Sequence, residues 1–321
     1  MSEYKGIWVF SEYYDLELEL LAGGRALAAG RNTELVALLL GAGMGDKSEG
    51  LVKHGADKVF VVDHPDLKEF QTETFLNAIT SLAASNKPET ILIGSTKNGK
   101  ELASRLAAKL RTGYTPDCSS LYINEEGQLV TKRIVYSGTA IVTATYTKKP
   151  QIATVPLRTF EKLEPKERHG QVVKVDVDVG KPKLETVSVK KTEVADVKIE
   201  EARIVVCGGR GVEKKEDFKP LEELAEILGG QVGNTRPLAE DRKWFTGWVG
   251  LSGKKIKPTL YIGCGISGMI QHVAGMRDSQ VVVAINKDPE AAIFEVADYV
   301  VVGDLQELVP AIKDALKRVL S

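Results

Sequence analysis

The chain has 321 residues, 43% of them hydrophobic and 27% charged, which is enough apolar material for two domains with separate cores. The formal net charge of −1 argues against nucleic acid and anionic membrane surfaces as partners, because these require a basic excess or a basic patch. Three cysteines without a C-x-x-C pair argue against a disulfide framework and against zinc or iron–sulfur ligation. The sequence shows no targeting segment and no apolar run of the ~20 residues that span a bilayer, so we expect a cytoplasmic, prokaryotic protein without a membrane span.

The first part of the chain alternates apolar runs with segments of helical periodicity. The apolar runs cover residues 6–10, 35–40, 59–62 and 91–94, and helices are predicted over residues 16–29, 45–54, 67–84 and 98–110. Repeated units of this kind are typical of a parallel sheet covered by helices. Ser95 and Thr96 offer hydroxyls either to an anion or to the N-terminus of the next helix, and helix capping is a sufficient explanation.

The sequence pattern then changes to short segments typical of β-strands. These lie at residues 129–136, 140–146 and 152–155, and we expect them to extend the sheet of the first domain. Valines at positions 173, 175, 177 and 179 alternate with polar residues, which predicts a half-exposed strand. Residues 180–201 are rich in lysine and glutamate and have the composition of a solvated connector. We therefore predict domains at residues 1–190 and 203–321.

A second series of alternating elements fills the rest of the chain. Strands are predicted at residues 203–207 and 260–264, with a helix over residues 220–228 between them. The runs at 281–285 and 299–302 are apolar on both faces, which predicts two further buried strands. Asp304, with Glu307 three residues later, predicts a capping box for a last helix through residue 319. This pattern indicates a doubly wound parallel sheet.

The clearest motif is the glycine turn at residues 260–272, where Gly263, Gly265 and Gly268 have the spacing G-x-G-x-x-G between a strand and a helix. Glycine lets such a turn bend tightly and bring backbone N–H groups close to a pyrophosphate. Asn286 stands where an acidic residue usually ends the next strand and binds the ribose of NAD. The turn therefore predicts a nucleotide cofactor, and Asn286 argues against ordinary NAD recognition.

Other side chains converge on the same crevice, because the loops after parallel strands lie at one edge of the sheet. Arg210 and Arg236 both follow strands there, and we interpret the pair as contacts to the two phosphates of a dinucleotide. Trp244 and Trp248 either stack on a flat ring or pack their own loop. No nucleophile–base set and no metal-ligand spacing occurs, so we predict a cofactor site without catalytic residues and without metal.

Residues 204–308 closely resemble the FAD-binding domain of electron-transfer flavoprotein alpha subunits. The similarity rests on the segments at 208–211, 235–237, 249–254, 265–272, 284–290 and 296–299. The first domain agrees more loosely, in length and in the order of its βα units. The resemblance implies an N-terminal α/β domain, which contacts a beta subunit, and a Rossmann-like FAD-binding domain.

The resemblance also implies a site and a function. The family's cofactor contacts fall on sixteen positions of this sequence: Arg210, Thr235, Arg236, Val249, Gly250, Leu251, Ser252, Gly265, Ser267, Gly268, Met269, Ile270, Gln271, His272, Asn286 and Asp304. By position, Arg236 and Ser252 would lie near the flavin N5 edge, His272 near the pyrimidine carbonyl, and Asn286 with Asp304 toward the adenosine. Leu251 and Ser252 replace the more common Gln and Thr, so one side-chain amide is missing.

We therefore expect an electron carrier, not an enzyme with its own substrate. It would pair with an electron-transfer flavoprotein beta subunit and pass electrons between acyl-CoA dehydrogenase-type enzymes and other redox partners, by simple transfer or within a flavin-based bifurcating complex. Two alternatives remain at this point. One is an NAD(P)-dependent dehydrogenase, and the other is an adenine-nucleotide-sensing module, which only the α/β character of the first domain supports.

Overall fold

The structure, a computed structural model, describes residues 4–136, 140–182, 184, 186–188 and 199–320. The chain divides into two compact units, Met1–Val189 and Lys190–Ser321, each with its own sheet and cores. Much of the predicted connector at 180–201 falls outside the described residues. Within the described ranges, no helix is both long enough and apolar enough to cross a membrane.

The described residues of the first unit form ten strands and four α-helices. The strands are β1 (Ile7–Phe10), β2 (Leu35–Gly41), β3 (Lys58–Asp63), β4 (Thr90–Gly94), β5 (Tyr114–Thr115), β6 (Cys118–Ile123), β7 (Leu129–Val135), β8 (Ala140–Ala144), β9 (Gln151–Val155) and β10 (Gln171–Lys174). The helices are α1 (Tyr14–Arg31), α2 (Lys47–Lys53), α3 (Thr72–Asn86) and α4 (Lys97–Leu110). Seven strands form one parallel sheet in the order β10-β3-β2-β1-β4-β9-β5.

Two hydrophobic cores lie on opposite faces of this sheet. Successive side chains of a strand point to opposite faces, so Ile7 and Val9 of β1 enter one core while Trp8 and Phe10 enter the other. Helices α3 and α4 cover the face that contains Trp8, and α1 covers the face that contains Ile7. The predicted parallel sheet with helices on its faces is confirmed.

The β segments after β4 differ in part from the prediction. β9 and β10 join the large sheet, as expected for residues 152–155, although β10 ends at Lys174 and only the inward packing of the valines continues to Val179. The expectation was wrong for β7 and β8, because β7 pairs antiparallel with β6 on one side and with β8 on the other, in a separate three-stranded sheet. The cause is that a parallel pairing needs a long crossover, whereas β6, β7 and β8 follow one another too closely in sequence.

The second unit is the predicted doubly wound sheet. Its strands are β11 (Ile204–Gly208), β12 (Gln231–Asn234), β13 (Leu260–Cys264), β14 (Val281–Asn286) and β15 (Tyr299–Val302), and its helices are α5 (Lys219–Ile227), α6 (Arg236–Glu240), α7 (Ile270–Met276) and α8 (Leu305–Leu320). All strands are parallel, in the order β12-β11-β13-β14-β15. One core packs α5 and α8 against the sheet, and a second core with α7 covers the opposite face.

The last strand corrects one prediction. Tyr299, Val300 and Val302 of β15 are exposed, so this run is not a buried strand. Among the described strands β15 pairs with β14 alone and forms the edge of the sheet, and an apolar pattern does not distinguish an edge strand from a central one. The cap of α8 also takes a different form, because the Asp304 carboxylate accepts the N–H of Gln306 at 2.8 Å.

Candidate cofactor site

A cleft of about 680 Å³ opens at the carboxyl edge of the second unit's sheet. It lies where β11 and β13 are neighbours, and the chain leaves these two strands toward opposite ends of the sheet. Doubly wound sheets bind ligands at this switch point, because the two diverging loops leave a crevice between them. The cleft has the volume of a site for a large cofactor.

Most of the predicted residues line this cleft. Thirteen do so: Arg210, Thr235, Arg236, Val249, Gly250, Leu251, Ser252, Gly265, Ser267, Met269, Gln271, His272 and Asn286. Asp304 lines a smaller adjoining cavity of about 50 Å³, which shares Gly211, Gly265 and Asn286 with the cleft. Gly268 and Ile270 do not line either cavity, and the side chain of Ile270 is exposed.

The glycine turn has the predicted order of strand, turn and helix, from β13 to α7. Gly265 and Gly268 adopt positive φ angles of 63° and 90°. A Cβ atom on Gly268 would stand 2.0 Å from the backbone nitrogen of Ile293, and one on Gly265 would stand 2.8 Å from the Cα of Gly211. Glycine is therefore required where the turn packs against other parts of the chain, and of these two glycines only Gly265 also faces the cleft.

Thr235, at the start of α6, is the one buried cleft residue whose hydroxyl finds no hydrogen-bond partner within the described part of the chain. The residue is only 6% exposed. A buried hydroxyl without a partner is unfavourable by about 1–3 kcal/mol, and such groups in native proteins usually meet a ligand or a water. Oγ1 of Thr235 is therefore suited to bond a cofactor in the cleft.

Arg236 is held by two neighbours at the mouth of the cleft. Its Nε and Nη2 atoms donate to Oε2 of Glu240 at 2.9 and 2.7 Å, and the guanidinium lies 5.9 Å from the centre of the Trp248 ring. Trp248 lines the cleft, whereas Trp244 packs against the core on the α5 side. Sequence reasoning missed Glu240, although its spacing of four residues from Arg236 on one helix was a usable signal.

His272 lines the cleft, and both of its ring nitrogens lie within hydrogen-bond distance of other protein groups. Its Nδ1 lies 3.0 Å from the Val249 carbonyl oxygen and its Nε2 lies 2.7 Å from the Tyr261 hydroxyl. Burial lowers the pKa of His272 to about 4, so the ring is neutral at pH 7. A carbonyl only accepts, so the single ring proton is on Nδ1. In this arrangement neither nitrogen has an N–H left for a cofactor carbonyl.

Asn286 is also engaged within the protein. Its Nδ2 donates to the Ile266 carbonyl at 2.8 Å, and its Oδ1 accepts the N–H of Asp288 at 3.1 Å. The side chain therefore fixes the glycine turn to the loop after β14.

The cleft is also lined by eleven residues that are not among the sixteen predicted positions: Gly209, Gly211, Glu213, Pro237, Trp248, Ile266, Lys287, Asp288, Glu290, Ala291 and Ala292. Six of them adjoin a predicted residue in sequence, namely Gly209, Gly211, Pro237, Trp248, Ile266 and Lys287, and this adjacency is the signal that would have found them.

Fold and site together define a class of protein. A doubly wound sheet, a glycine turn at its switch point and a large cleft with a buried, unpaired hydroxyl are the features of a nucleotide-cofactor-binding domain. Among the described residues, no group of three or more His, Cys, Asp or Glu side chains is placed to hold a metal ion.

Comparison with known proteins identifies the family within this class. Residues 8–179 match the family model of the electron transfer flavoprotein domain, and residues 198–277 match that of the electron transfer flavoprotein FAD-binding domain. The chain is 40% identical to the electron transfer flavoprotein subunit alpha of Thermoanaerobacterium thermosaccharolyticum, over 99% of both chains. It is 42% identical to that of Clostridium acetobutylicum, over 96% of both chains. The chain therefore belongs to the electron transfer flavoprotein alpha-subunit family.

Three predictions drawn from the resemblance are confirmed: the family, the cofactor and the role as an electron carrier. The cofactor is FAD, and the chain is a subunit of an electron carrier, not a catalyst with its own substrate. The residues present fit this cofactor, because the cleft is large and Thr235 aligns an unpaired hydroxyl with it. A more distant relative is subunit LctC of the lactate dehydrogenase (NAD(+),ferredoxin) of Acetobacterium woodii, which is 38% identical over 96% of this chain and 76% of the relative.

Proposed function

We propose that this chain holds FAD in the cleft of its second unit and works as the alpha half of a heterodimer in a bacterial cytoplasm. There it takes electrons from an acyl-CoA dehydrogenase-type enzyme and passes them to a further redox partner. The observation that carries the assignment of the site is the buried, unpaired hydroxyl of Thr235 in the cleft. The relatives support the heterodimer, because they are named subunit alpha over nearly their full length.

In this proposal, different residues of the cleft contact different parts of FAD. Bound FAD supplies the ring that gains and loses electrons. Thr235 donates a hydrogen bond to the cofactor, and Arg210 lies toward its phosphates. Arg236 and Ser252 lie at the redox-active ring, where a cation and a hydroxyl favour added negative charge. Asp304, in the adjoining cavity, lies toward the adenosine.

A second candidate function has a specific observation in its favour. The relative in Acetobacterium woodii is named a subunit of a lactate dehydrogenase (NAD(+),ferredoxin), so its name lists two redox partners. On this reading the chain is the alpha subunit of a bifurcating complex. Such a complex needs a second flavin, which we expect in the beta subunit. The number of flavins per heterodimer separates the two candidates.

The test is to co-express the chain with its beta subunit, purify the complex and identify the released cofactor by chromatography. We expect a yellow heterodimer that releases FAD and is reduced by an acyl-CoA dehydrogenase with its substrate. One flavin per heterodimer supports simple transfer, and two support bifurcation. A colourless protein that binds NADH tightly would contradict the proposal and favour the dehydrogenase alternative.

A further inference from the structure

Arg236, at the mouth of the cofactor cleft, is held by the carboxylate of Glu240. Nε and Nη2 of Arg236 both donate to Oε2 of Glu240, at 2.9 and 2.7 Å, and Nη1 has no hydrogen-bond partner among the described residues. Arg236 lines the cleft, whereas Glu240 does not. The carboxylate therefore binds a residue of the cleft from outside the cleft.

This ion pair distinguishes Arg236 from the other cations of the cleft, which are Arg210 and Lys287. Within the described part of the chain, neither Arg210 nor Lys287 lies within ion-pair distance of a carboxylate. Arg236 does, and its partner is Glu240 and not one of the three carboxylates that line the cleft. The positive charge of Arg236 is therefore partly offset, while those of the other two cations are not offset by any described residue.

The fold fixes the position of the pair. Glu240 follows Arg236 by four residues on the short helix α6, and this spacing places the two side chains on one face. Leu238 anchors the helix in the core, where it is fully buried. The guanidinium also lies 5.9 Å from the centre of the Trp248 ring, which is within the range of a cation–π contact. Arg236 is thus held between α6 and the loop that begins at Trp248.

The ion pair contributes little to the stability of the fold. The side chains of Arg236 and Glu240 are 61% and 43% exposed, and water and salt screen an exposed pair. Removal of the carboxylate should therefore leave the protein folded. Its effect on a bound anion is of another kind, because a guanidinium that already binds a carboxylate offers less charge and fewer N–H groups to a second anion.

We propose that Glu240 is a positioning residue, which restrains the Arg236 guanidinium at the mouth of the cleft and limits how strongly it stabilises negative charge on FAD. This role rests on the proposed function, in which Arg236 lies at the redox-active ring. Added electrons bring negative charge to that ring, so a guanidinium released from its carboxylate would stabilise the reduced cofactor more strongly. Glu240 thus keeps the reduction potential lower than Arg236 alone would set it.

The test is spectroelectrochemistry of FAD in the heterodimer with Glu240→Gln, which removes the charge and keeps an oxygen acceptor at the same length. We expect a more positive first reduction potential, opposite in sign to the shift expected for Arg236→Ala. The double variant Arg236→Ala/Glu240→Gln should have the potential of Arg236→Ala alone, because the carboxylate acts through the guanidinium. The matched control is Asp241→Asn, which removes an equal charge from the next residue, also outside the cleft, and should leave the potential unchanged.

The ion pair itself is tested without the cofactor. In nitrogen-15 NMR of the cofactor-free protein, the Nε–H signal of Arg236 is assigned by its loss in Arg236→Ala. It should move in Glu240→Gln and stay in place in Asp241→Asn. A signal that Glu240→Gln leaves unchanged would show that the guanidinium is not held by this carboxylate in solution, and the role of Glu240 would be lost.

Two results in the FAD-loaded heterodimer would also overturn this role. The first is an unchanged potential in Glu240→Gln. The second is an equal positive shift in the parent and in the Arg236→Ala background, because the carboxylate would then act directly on the cofactor and not through Arg236. A heterodimer that carries no FAD contradicts the proposed function and this inference together, whereas one that carries FAD and gives either of these potentials contradicts this inference alone.

Discussion

The carboxyl edges of the two parallel sheets differ in what occupies them. In the first unit the hydroxyls after β4 are taken by the chain itself: Thr96 donates to Glu12 and Ser95 donates to Asp117, each at 2.5 Å. The N-terminus of α4 is capped as well, since Oγ1 of Thr96 accepts the Gly99 N–H at 2.8 Å. Two carboxylates, those of Glu12 and Asp117, thus accept the hydroxyl protons that a ligand at this edge would need.

The corresponding edge of the second unit keeps its polar groups for a ligand. Thr235 has an unpaired hydroxyl, and the cleft is lined by glycines, by the cations Arg210, Arg236 and Lys287 and by the carboxylates Glu213, Asp288 and Glu290. The difference shows that a parallel sheet with helices is not enough to make a nucleotide site. The edge must also leave a hydrogen-bond donor unpaired. The hydroxyls of Ser95 and Thr96 are paired, which removes the support for a nucleotide sensor in the first unit.

The largest effect is expected from a substitution in the glycine turn of the second unit. Gly268→Ala places a Cβ 2.0 Å from the Ile293 nitrogen at a φ of 90°, so we expect unfolding free energy to fall by about 3 kcal/mol and FAD to be lost. Urea denaturation and bound flavin per chain measure this. Gly229→Ala is the matched control, with a φ of 65° but open space around it, and should cost about 1–2 kcal/mol. Equal losses in both variants would show that the turn absorbs the clash.

The second effect concerns the charge at the cofactor edge. Arg236→Ala removes a guanidinium from the mouth of the cleft, and a charge-assisted hydrogen bond contributes about 1.5–3 kcal/mol. We therefore expect the potential of the first one-electron reduction of bound FAD to fall by roughly 60–130 mV, measured by spectroelectrochemistry. Arg242→Ala is the control, because Arg242 lies over Trp244 and outside the cleft. An unchanged potential in Arg236→Ala would place the guanidinium away from the flavin.

The third effect concerns the carboxyl edge of the first unit's sheet, where the chain itself binds the hydroxyls. Thr96→Val removes both the cap of α4 and the bond to Glu12, so we expect unfolding free energy to fall by about 2 kcal/mol. FAD binding and potential should stay as in the parent, because this hydroxyl serves only the fold. Thr96→Ser keeps the hydroxyl and should stay within about 0.5 kcal/mol of the parent. A loss of FAD in Thr96→Val would mean that this edge contributes to the cofactor site.

The sequence predicted those features that depend on neighbours along the chain. The apolar runs of β1 to β4, β11, β13 and β14, and the glycine turn after β13, depend on local periodicity and spacing. The exposure of Tyr299 on β15 was not predictable, because it depends on which strands lie beside that run. The same holds for the unpaired hydroxyl of Thr235 and for the Tyr261–His272 bond, since both depend on contacts between separate segments. The residue types at the site could thus be predicted from the sequence, but their hydrogen bonds could not.

The smallest effect is expected from Thr235→Val. It gives the sharpest contrast between the two edges, because it makes in the second unit the same substitution that Thr96→Val makes in the first. Thr235→Val removes a hydroxyl that has no partner among the described residues, so the cofactor-free chain should be as stable as the parent or slightly more stable. The FAD dissociation constant should rise about fivefold to tenfold, which corresponds to one hydrogen bond of about 1 kcal/mol. Thr235→Ser should restore most of the affinity. If Thr235→Val instead destabilised the cofactor-free chain, the Thr235 hydroxyl would have to stabilise the fold, as the Thr96 hydroxyl does. The two sheet edges would then no longer differ in whether their threonine hydroxyl is paired within the protein.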